Sequence, residues 1–211
     1  MTRALTPEPP IRWGEEAREG RIRAGLYSLI RRAQVALGGR PATTRQSLPH
    51  LPAALRQGEL AERYLVAEAE ADHRRAGAAA TTAAEQAFSV QAWWPADVWG
   101  HRALWHFERD GMDLAATRAA RFIGDVRVAG GDPASGRGYY AEAISEARDI
   151  GAEREEGLAA LGMGRAELEL GNVTTARRLA QIALDLLERC DAPAAEMASA
   201  RELRGEEKEV G

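Results

Sequence analysis

The stretch GMGRAELELGNVTTARRLAQIAL, residues 162–184, is two runs of helix-forming residues divided at Gly171-Asn172, with Gly or Ala wherever one helix would have to touch the other. Moved back by forty residues it meets itself. Gly164 falls on Gly124, Gly171 on Gly131, Ala176 on Gly136, Ala180 on Tyr140, Ala183 on Ala143 and Leu184 on Ile144. The same shift sets Gly151 on Gly111 and Ala143-Ile144 on Ala103-Leu104; forward, Gly151 lands on Asp191, and the helix after it ends at Gly205. Two antiparallel helices on a short turn approach closely only where side chains are small, so the matched glycines and alanines mark a recurring line of helix contact. No single hairpin buries its apolar face alone, and stacked neighbours do.

Turn signals punctuate the chain at Gly77, Trp94-Pro95, Gly111, Gly130-Gly131-Asp132-Pro133, Gly151, Gly171-Asn172 and Asp191 to Pro193. The segments between them are rich in Ala, Leu, Glu and Arg and show no alternating β-branched pattern, so an all-α fold is expected. Asp132 before Pro133 reads as a capping carboxylate ahead of a proline at the first helical position, and Asn172 or Thr174 is expected to cap the next helix. Upstream, Ile22, Leu26, Leu29, Ile30, Ala33 and Leu37 recur at helical spacing and predict one long amphipathic helix over about 14–37, stopped by Gly38-Gly39 and Pro41. Residues 40–55, with three prolines, read as a linker. The expected division is therefore 1–57, comprising tail, basic helix and linker, and 58–211, the helical repeat domain.

Charge follows that division. Residues 1–57 carry ten Arg against four Glu, whereas 58–211 carry 18 basic against 28 acidic side chains. The two parts attract each other, and a basic arm also suits nucleic acid. With 45% hydrophobic and 28% charged residues the composition is that of a globular protein and not a disordered one. No apolar run is long enough to span a bilayer and MTRALTPEPPIRW lacks the apolar core of a signal peptide, so no membrane association and a cytoplasmic location are expected. Cys190, the single cysteine, has no thiol partner and reads as a small, half-buried apolar residue.

Met163-Gly164, Gly171, Ala176, Ala180 and Ala183, with Ile123-Gly124, Gly131, Gly136, Tyr140 and Ala143 as a second copy, resemble the tetratricopeptide repeat. In that family a large residue and Gly on the first helix precede a Gly at the turn, then a small residue, an aromatic or small residue, and Ala on the second. The usual period is about 34 residues; forty is similar to the lengthened bacterial form of the repeat. The early tryptophan of the motif is missing, and the closing proline is absent or displaced. The resemblance covers roughly 58–205, with 58–110 as a weaker copy whose first helix is Ala78 to Gln91 and 193–205 as a closing helix. It implies a right-handed superhelix of antiparallel helix pairs that binds a peptide or helix of another protein in its concave groove. With copy starts at Thr117 and Gly157, it further implies that Arg118, Arg121, Asp125, Leu158, Leu161 and Arg165 line that groove, with Arg201 added by the closing helix. Four arginines there would suit a carboxylate-bearing peptide, because the guanidinium fork grips carboxylates bidentately.

Other chemistry has less to stand on. His101 and His106 are five residues apart and lack the i, i+4 geometry of a helical zinc pair; His50 and His73 are isolated in sequence. GGDPASGRG, residues 130–138, has the glycines of a phosphate loop but neither the preceding strand nor the terminal lysine. Glu153, Glu155 and Glu156 read as a solvated helix start. Catalytic and metal sites and cofactors are therefore expected to be absent, and the expected function is a non-enzymatic adaptor or regulatory module. The most unusual stretch, WWPADVWGHRALWHF, residues 93–107, holds four of the five tryptophans. It predicts a helix from about Pro95 with Trp99, Ala103 and His106 on one face and Val98, Arg102 and Trp105 on another. One reading packs these side chains against the alanine-rich helix before them. The other makes Trp94, Trp99, Trp105 and His106 an aromatic surface for a partner, a homodimer contact or a small ligand. The alternative functions are thus a DNA-associated regulator using the basic helix and a ligand-binding helical protein using the tryptophans.

Overall fold

The computed structural model describes Leu51, Leu55, Arg56 and residues 58–205; the amphipathic helix expected over 14–37, most of the 40–55 linker and His50 lie outside them. Among the described residues there are eight α-helices and no strand: α1 (Glu59–Ala69), α2 (His73–Ser89), α3 (Trp93–Arg109), α4 (Asp113–Ala129), α5 (Pro133–Asp149), α6 (Glu153–Glu169), α7 (Val173–Arg189) and α8 (Ala194–Arg204). The six inner helices are each 17 residues long, about 25 Å at 1.5 Å per residue.

The forty-residue register has a finer unit of twenty. Positive φ recurs at Ala71, Gln91, Gly111, Gly131, Gly151, Gly171 and Asp191. Around each such residue the same pair of hydrogen bonds closes the preceding helix; at Gly111 these run from its own N–H to Glu108 O and from Met112 N–H to Phe107 O. This is the Schellman arrangement, which satisfies the last carbonyls of a helix and turns the chain with one left-handed residue. Four of the seven positions are glycine, which adopts that conformation without strain, and those four, with the turn at Asp191, are the ones visible in the sequence. Ala71, Gln91 and Asp191 make the same turn without glycine.

That explains the corrections to the expected boundaries. Gly77 is no turn: it lies within α2, where a Cβ would come 2.6 Å from the Phe107 ring. The helix expected over 78–91 runs from His73 to Ser89, and the one expected from Pro95 begins at Trp93. Likewise α4 and α6 begin at Asp113 and Glu153, four residues before the expected copy starts, and Thr117 is buried in mid-helix with its hydroxyl donating to Asp113 O at 2.9 Å. Asp132 caps α5 as expected, accepting from Ser135 N–H at 3.0 Å ahead of Pro133. Neither Asn172 nor Thr174 caps α7; the Asn172 amide turns back and donates to Glu167 Oε2 at 2.6 Å.

Each helix packs on the next, and α4 also touches α6, as α6 touches α8. The glycines of the register sit where the helices press together. A Cβ on Gly124 would meet the Tyr140 ring at 2.8 Å, and one on Gly164 would meet Leu203 at 2.8 Å and Ala176 O at 3.3 Å. Tyr140 also covers Gly162, so a single α5 ring is clamped between the glycines of α4 and α6. Ala96, Gly136 and Ala176, then Ala103, Ala143 and Ala183, are buried at matched positions of α3, α5 and α7. The core has an aromatic end, with Tyr64, Trp99 and Phe107 among alanines, and an aliphatic end with Leu161, Leu184 and Leu187; Ala120, Ala143 and Ala159, flanked by Leu104 and Ile144, form a third small cluster, and Ile123, Val126 and Tyr140 of α4 and α5 are buried as well. No helix among the described residues is long and apolar enough to cross a membrane.

Candidate functional site

Four of the seven expected groove residues, Arg118, Arg121, Asp125 and Arg165, gather about the α4–α6 contact, around the Glu155 carboxylate. Glu155 is buried, not part of a solvated helix start, because two α4 arginines reach it across the contact. Arg118 Nε donates to Glu155 Oε1 at 2.7 Å, and Arg121 Nε lies 3.5 Å from Oε2. Arg121 also donates from Nη1 to Asp125 Oδ2 at 3.2 Å, while the Tyr140 hydroxyl donates to Asp125 Oδ1 at 2.7 Å. Burial raises the Asp125 pKa, against the pull of Arg121, the Tyr140 bond and Arg165; burial and then the Asp125 charge raise that of Tyr140. Of the flanking Glu153 and Glu156, the first is exposed and the second half-buried in an ion pair with Arg148 at 2.6 Å.

These arginines differ in what they have left to offer. Arg121 is hydrogen-bonded to Asp125 and lies in ion-pair range of Glu155, its buried Nε and Glu155 Oε2 making no hydrogen bond at 3.5 Å. The Arg118 side chain is 52% exposed and uses only Nε in the Glu155 bond. Arg165 is exposed and makes no ion pair among the described residues, although its charge reaches Asp125 and Tyr140. Leu158 is half-buried, and Leu161 belongs to the aliphatic core rather than to a surface. Arg201 is exposed on α8 and pairs with Glu188 at 3.0 Å. The structure thus brings Arg118, Arg121, Asp125 and Arg165 together and sets Leu161 and Arg201 apart from them.

The tryptophan stretch divides by depth. Trp99 and His106 are buried, Trp105 is half-buried and Trp94 is exposed. Trp99 meets the Tyr64 ring edge-on with centroids 5.1 Å apart, and Arg109 stacks over Trp105 at 4.6 Å. Arg102, expected on a different face, is buried as well, its guanidinium 5.7 Å from the Tyr64 ring centroid. His106 joins two other helices: Nε2 lies 3.1 Å from Tyr64 Oη on α1, and Nδ1 lies 3.0 Å from His73 Nδ1 on α2.

Two further constellations escape sequence reasoning. Asp97 and Arg127 form a buried bidentate pair, with Nε to Oδ1 at 2.6 Å and Nη2 to Oδ2 at 2.7 Å. Beside it His101 bridges Asp97 O and the Tyr139 hydroxyl, each at 2.8 Å. Because the carbonyl can only accept, Nδ1 carries a proton, and on a neutral ring Nε2 then accepts from Tyr139; burial above all pushes the Tyr139 pKa up to about 12. Glu108, Glu142 and Glu146 also bring one carboxylate oxygen each within 4.8 Å of one another. All these partners are 30 to 38 positions apart or share a helix face with no motif around them, so the signal that could have found them is the twenty-residue turn spacing, which sets α3 against both α4 and α5.

Compared with known proteins, the chain matches no protein-family model and no curated protein.

Proposed function

We propose that the described helices form a tetratricopeptide-like array, a right-handed superhelix, acting as a non-enzymatic adaptor that holds a carboxylate-bearing peptide of a partner protein against α4 and α6. One observation carries this reading: Arg118 and Arg165 stand on two touching helices with hydrogen-bonding capacity that no other described residue takes up, and Glu155, itself reached by Arg121, holds Arg118 in place. A guanidinium whose Nε is fixed by an internal carboxylate keeps its terminal nitrogens in place for a second one, so less conformational freedom is lost on binding.

The structure also dictates the test. Changing Arg121 would leave Glu155 and Asp125 short of a shared counter-charge and confuse binding with folding, so the variant to make is Arg165→Glu. In a fluorescence titration with acidic peptides ending in a free carboxylate, Arg165→Glu is expected to weaken binding by about tenfold or more, the loss of a charge-assisted contact plus a new repulsion. Its melting temperature should stay within about 2 °C of the parent, as for an exposed substitution. Equal affinity of the two proteins for every peptide tested would eliminate the α4–α6 face as the binding site.

A further inference from the structure

The hydrogen bonds through His106 have only one consistent set of directions. The Glu68 carboxylate accepts and cannot donate, so the Tyr64 hydroxyl, 2.8 Å away, gives its proton to Oε1. Tyr64 Oη must then accept from His106 Nε2–H. A neutral imidazole carries one N–H, which leaves a lone pair on His106 Nδ1, and His73 Nδ1–H donates into it. The chain Glu68, Tyr64, His106, His73 thereby ties α1, α3 and α2 together and ends at His73 Nε2 on a half-buried ring.

We propose that this chain is a pH-operated latch: a second proton on the His73–His106 pair breaks it and lets α1 lift away from α2 and α3. The first proton has an outlet, because His73 can take it on Nε2 and still donate from Nδ1. The second has none, since its only site is His106 Nδ1, where it turns the acceptor into a donor facing another donor. It also places a charge on a ring that is 1% exposed beneath Tyr64. Among the described residues the titratable and charged groups around His106 are Tyr64 and, behind it, Glu68 on α1, His73 on α2, and Arg102 and Arg109 on α3 itself. Tyr64 stays protonated, its pKa raised foremost by burial, so no anion sits against the ring to welcome a second charge.

Burial above all, and then the charges of His73, Arg102 and Arg109, hold the His106 pKa at about 4 instead of the ordinary 6.5. With α1 lifted, the ring is solvated and titrates near 6.5. The lifted form therefore binds more protons than the latched one at every pH between these values, and the latch is intact above 6.5 and loses strength as the pH falls toward 4. At pH 5 the ratio of lifted to latched protein should be about thirty times that at pH 8.

Amide hydrogen exchange on the full chain reads this directly, with rates corrected for the intrinsic pH dependence. Between pH 8 and pH 5 the α1 amides are expected to lose about thirtyfold in protection while those of α7 change by less than about threefold. His106→Gln should make α1 exchange independent of pH. His73→Gln, at a half-buried position that tolerates substitution, should shrink the α1 effect, because the His73 charge no longer opposes protonation of His106. The proposal is overturned if α1 protection does not respond to pH, if α1 and α7 lose protection together, or if both variants keep the full wild-type response.

Discussion

The two ends of the described array share one backbone plan and are filled with opposite chemistry. Helices α6 to α8 close on Leu161, Leu184 and Leu187 among alanines, the buried α6 carboxylates Glu155 and Glu167 pairing with arginines of α4 and α5 and not entering that core, and their glycines let backbones approach until Gly164 touches Ala176 and Leu203. Helices α1 to α4 close on Tyr64, Trp99 and Phe107, and bury within or beside that core His106, Arg102 and the Asp97–Arg127 pair. A hydrocarbon interface is indifferent to pH and tolerant of many shapes of similar volume. A polar aromatic one depends on each donor meeting its acceptor, because a buried polar group without a partner costs more than a satisfied one contributes. The turn spacing sets the geometry of both ends; side chains alone decide which end responds to its environment.

The sharpest test of that contrast is the Asp97–Arg127 pair. Asp97→Ala leaves a guanidinium buried without its counter-ion, which is expected to cost about 3–5 kcal/mol in urea unfolding. At the other end Leu187→Ala is expected to cost about 2–5 kcal/mol through lost burial and a cavity. The sizes overlap, so the discriminating step is rescue. Asp97→Leu combined with Arg127→Met should recover most of the lost stability, since the penalty comes from the unpaired charge and not from the missing atoms. A double variant as unstable as Asp97→Ala would mean that this end depends on packing in the way the α6–α8 end does.

Somewhat smaller is the dependence on pH. His106 is buried neutral, so the unfolded chain binds a proton below about 6.5 that the folded chain refuses until about 4. Stability from this group is fully present above 6.5 and falls as the pH drops through that window, by about 3 kcal/mol at its lower end. Urea unfolding at pH 7.5 and pH 4.5 compares parent with His106→Gln: the difference between the two pH values should shrink in the variant by about 2 kcal/mol or more. Undiminished acid sensitivity in His106→Gln would shift responsibility to carboxylates elsewhere and remove the contrast in pH response between the two ends.

The same contrast decided what could be read from sequence. The aliphatic end was legible because its contacts require small residues: Gly164, Ala176, Ala180 and Ala183 announce themselves by recurring forty positions from Gly124, Gly136, Tyr140 and Ala143. The aromatic end was not, since Gly77 serves there as a seat for Phe107 and was mistaken for a turn, while the turns at Ala71 and Gln91 lack glycine. Of the α4–α6 cluster, Arg118, Arg121, Asp125 and Arg165 were named only through what the tetratricopeptide resemblance implies; spacing by itself did not single them out. Glu155 was missed because a carboxylate in the first turn of a helix ordinarily faces water, and only the neighbouring helix shows that two arginines bury it. His73 and His106 were set aside singly, 33 positions apart, because nothing in the spacing said that α2 and α3 would bring their rings within hydrogen-bonding distance.

The smallest prediction concerns those glycine-free turns. Gln91 sits at φ 59°, where a side chain crowds its own backbone and typically costs about 1–2 kcal/mol relative to glycine. Its side chain is exposed, so little packing is lost with it. Gln91→Gly should therefore stabilise the protein, by less than the strain alone because glycine also makes the unfolded chain more flexible; a net gain of about 0.5–1 kcal/mol is expected. The matched change at the far turn, Asp191→Gly, should gain less, because Asp is among the residues that accept the left-handed conformation most readily. Thermal unfolding of the two variants side by side decides it. If Asp191→Gly gains as much as Gln91→Gly, or if neither gains, the glycines at 111, 131, 151 and 171 are there for a reason other than the turn conformation they share.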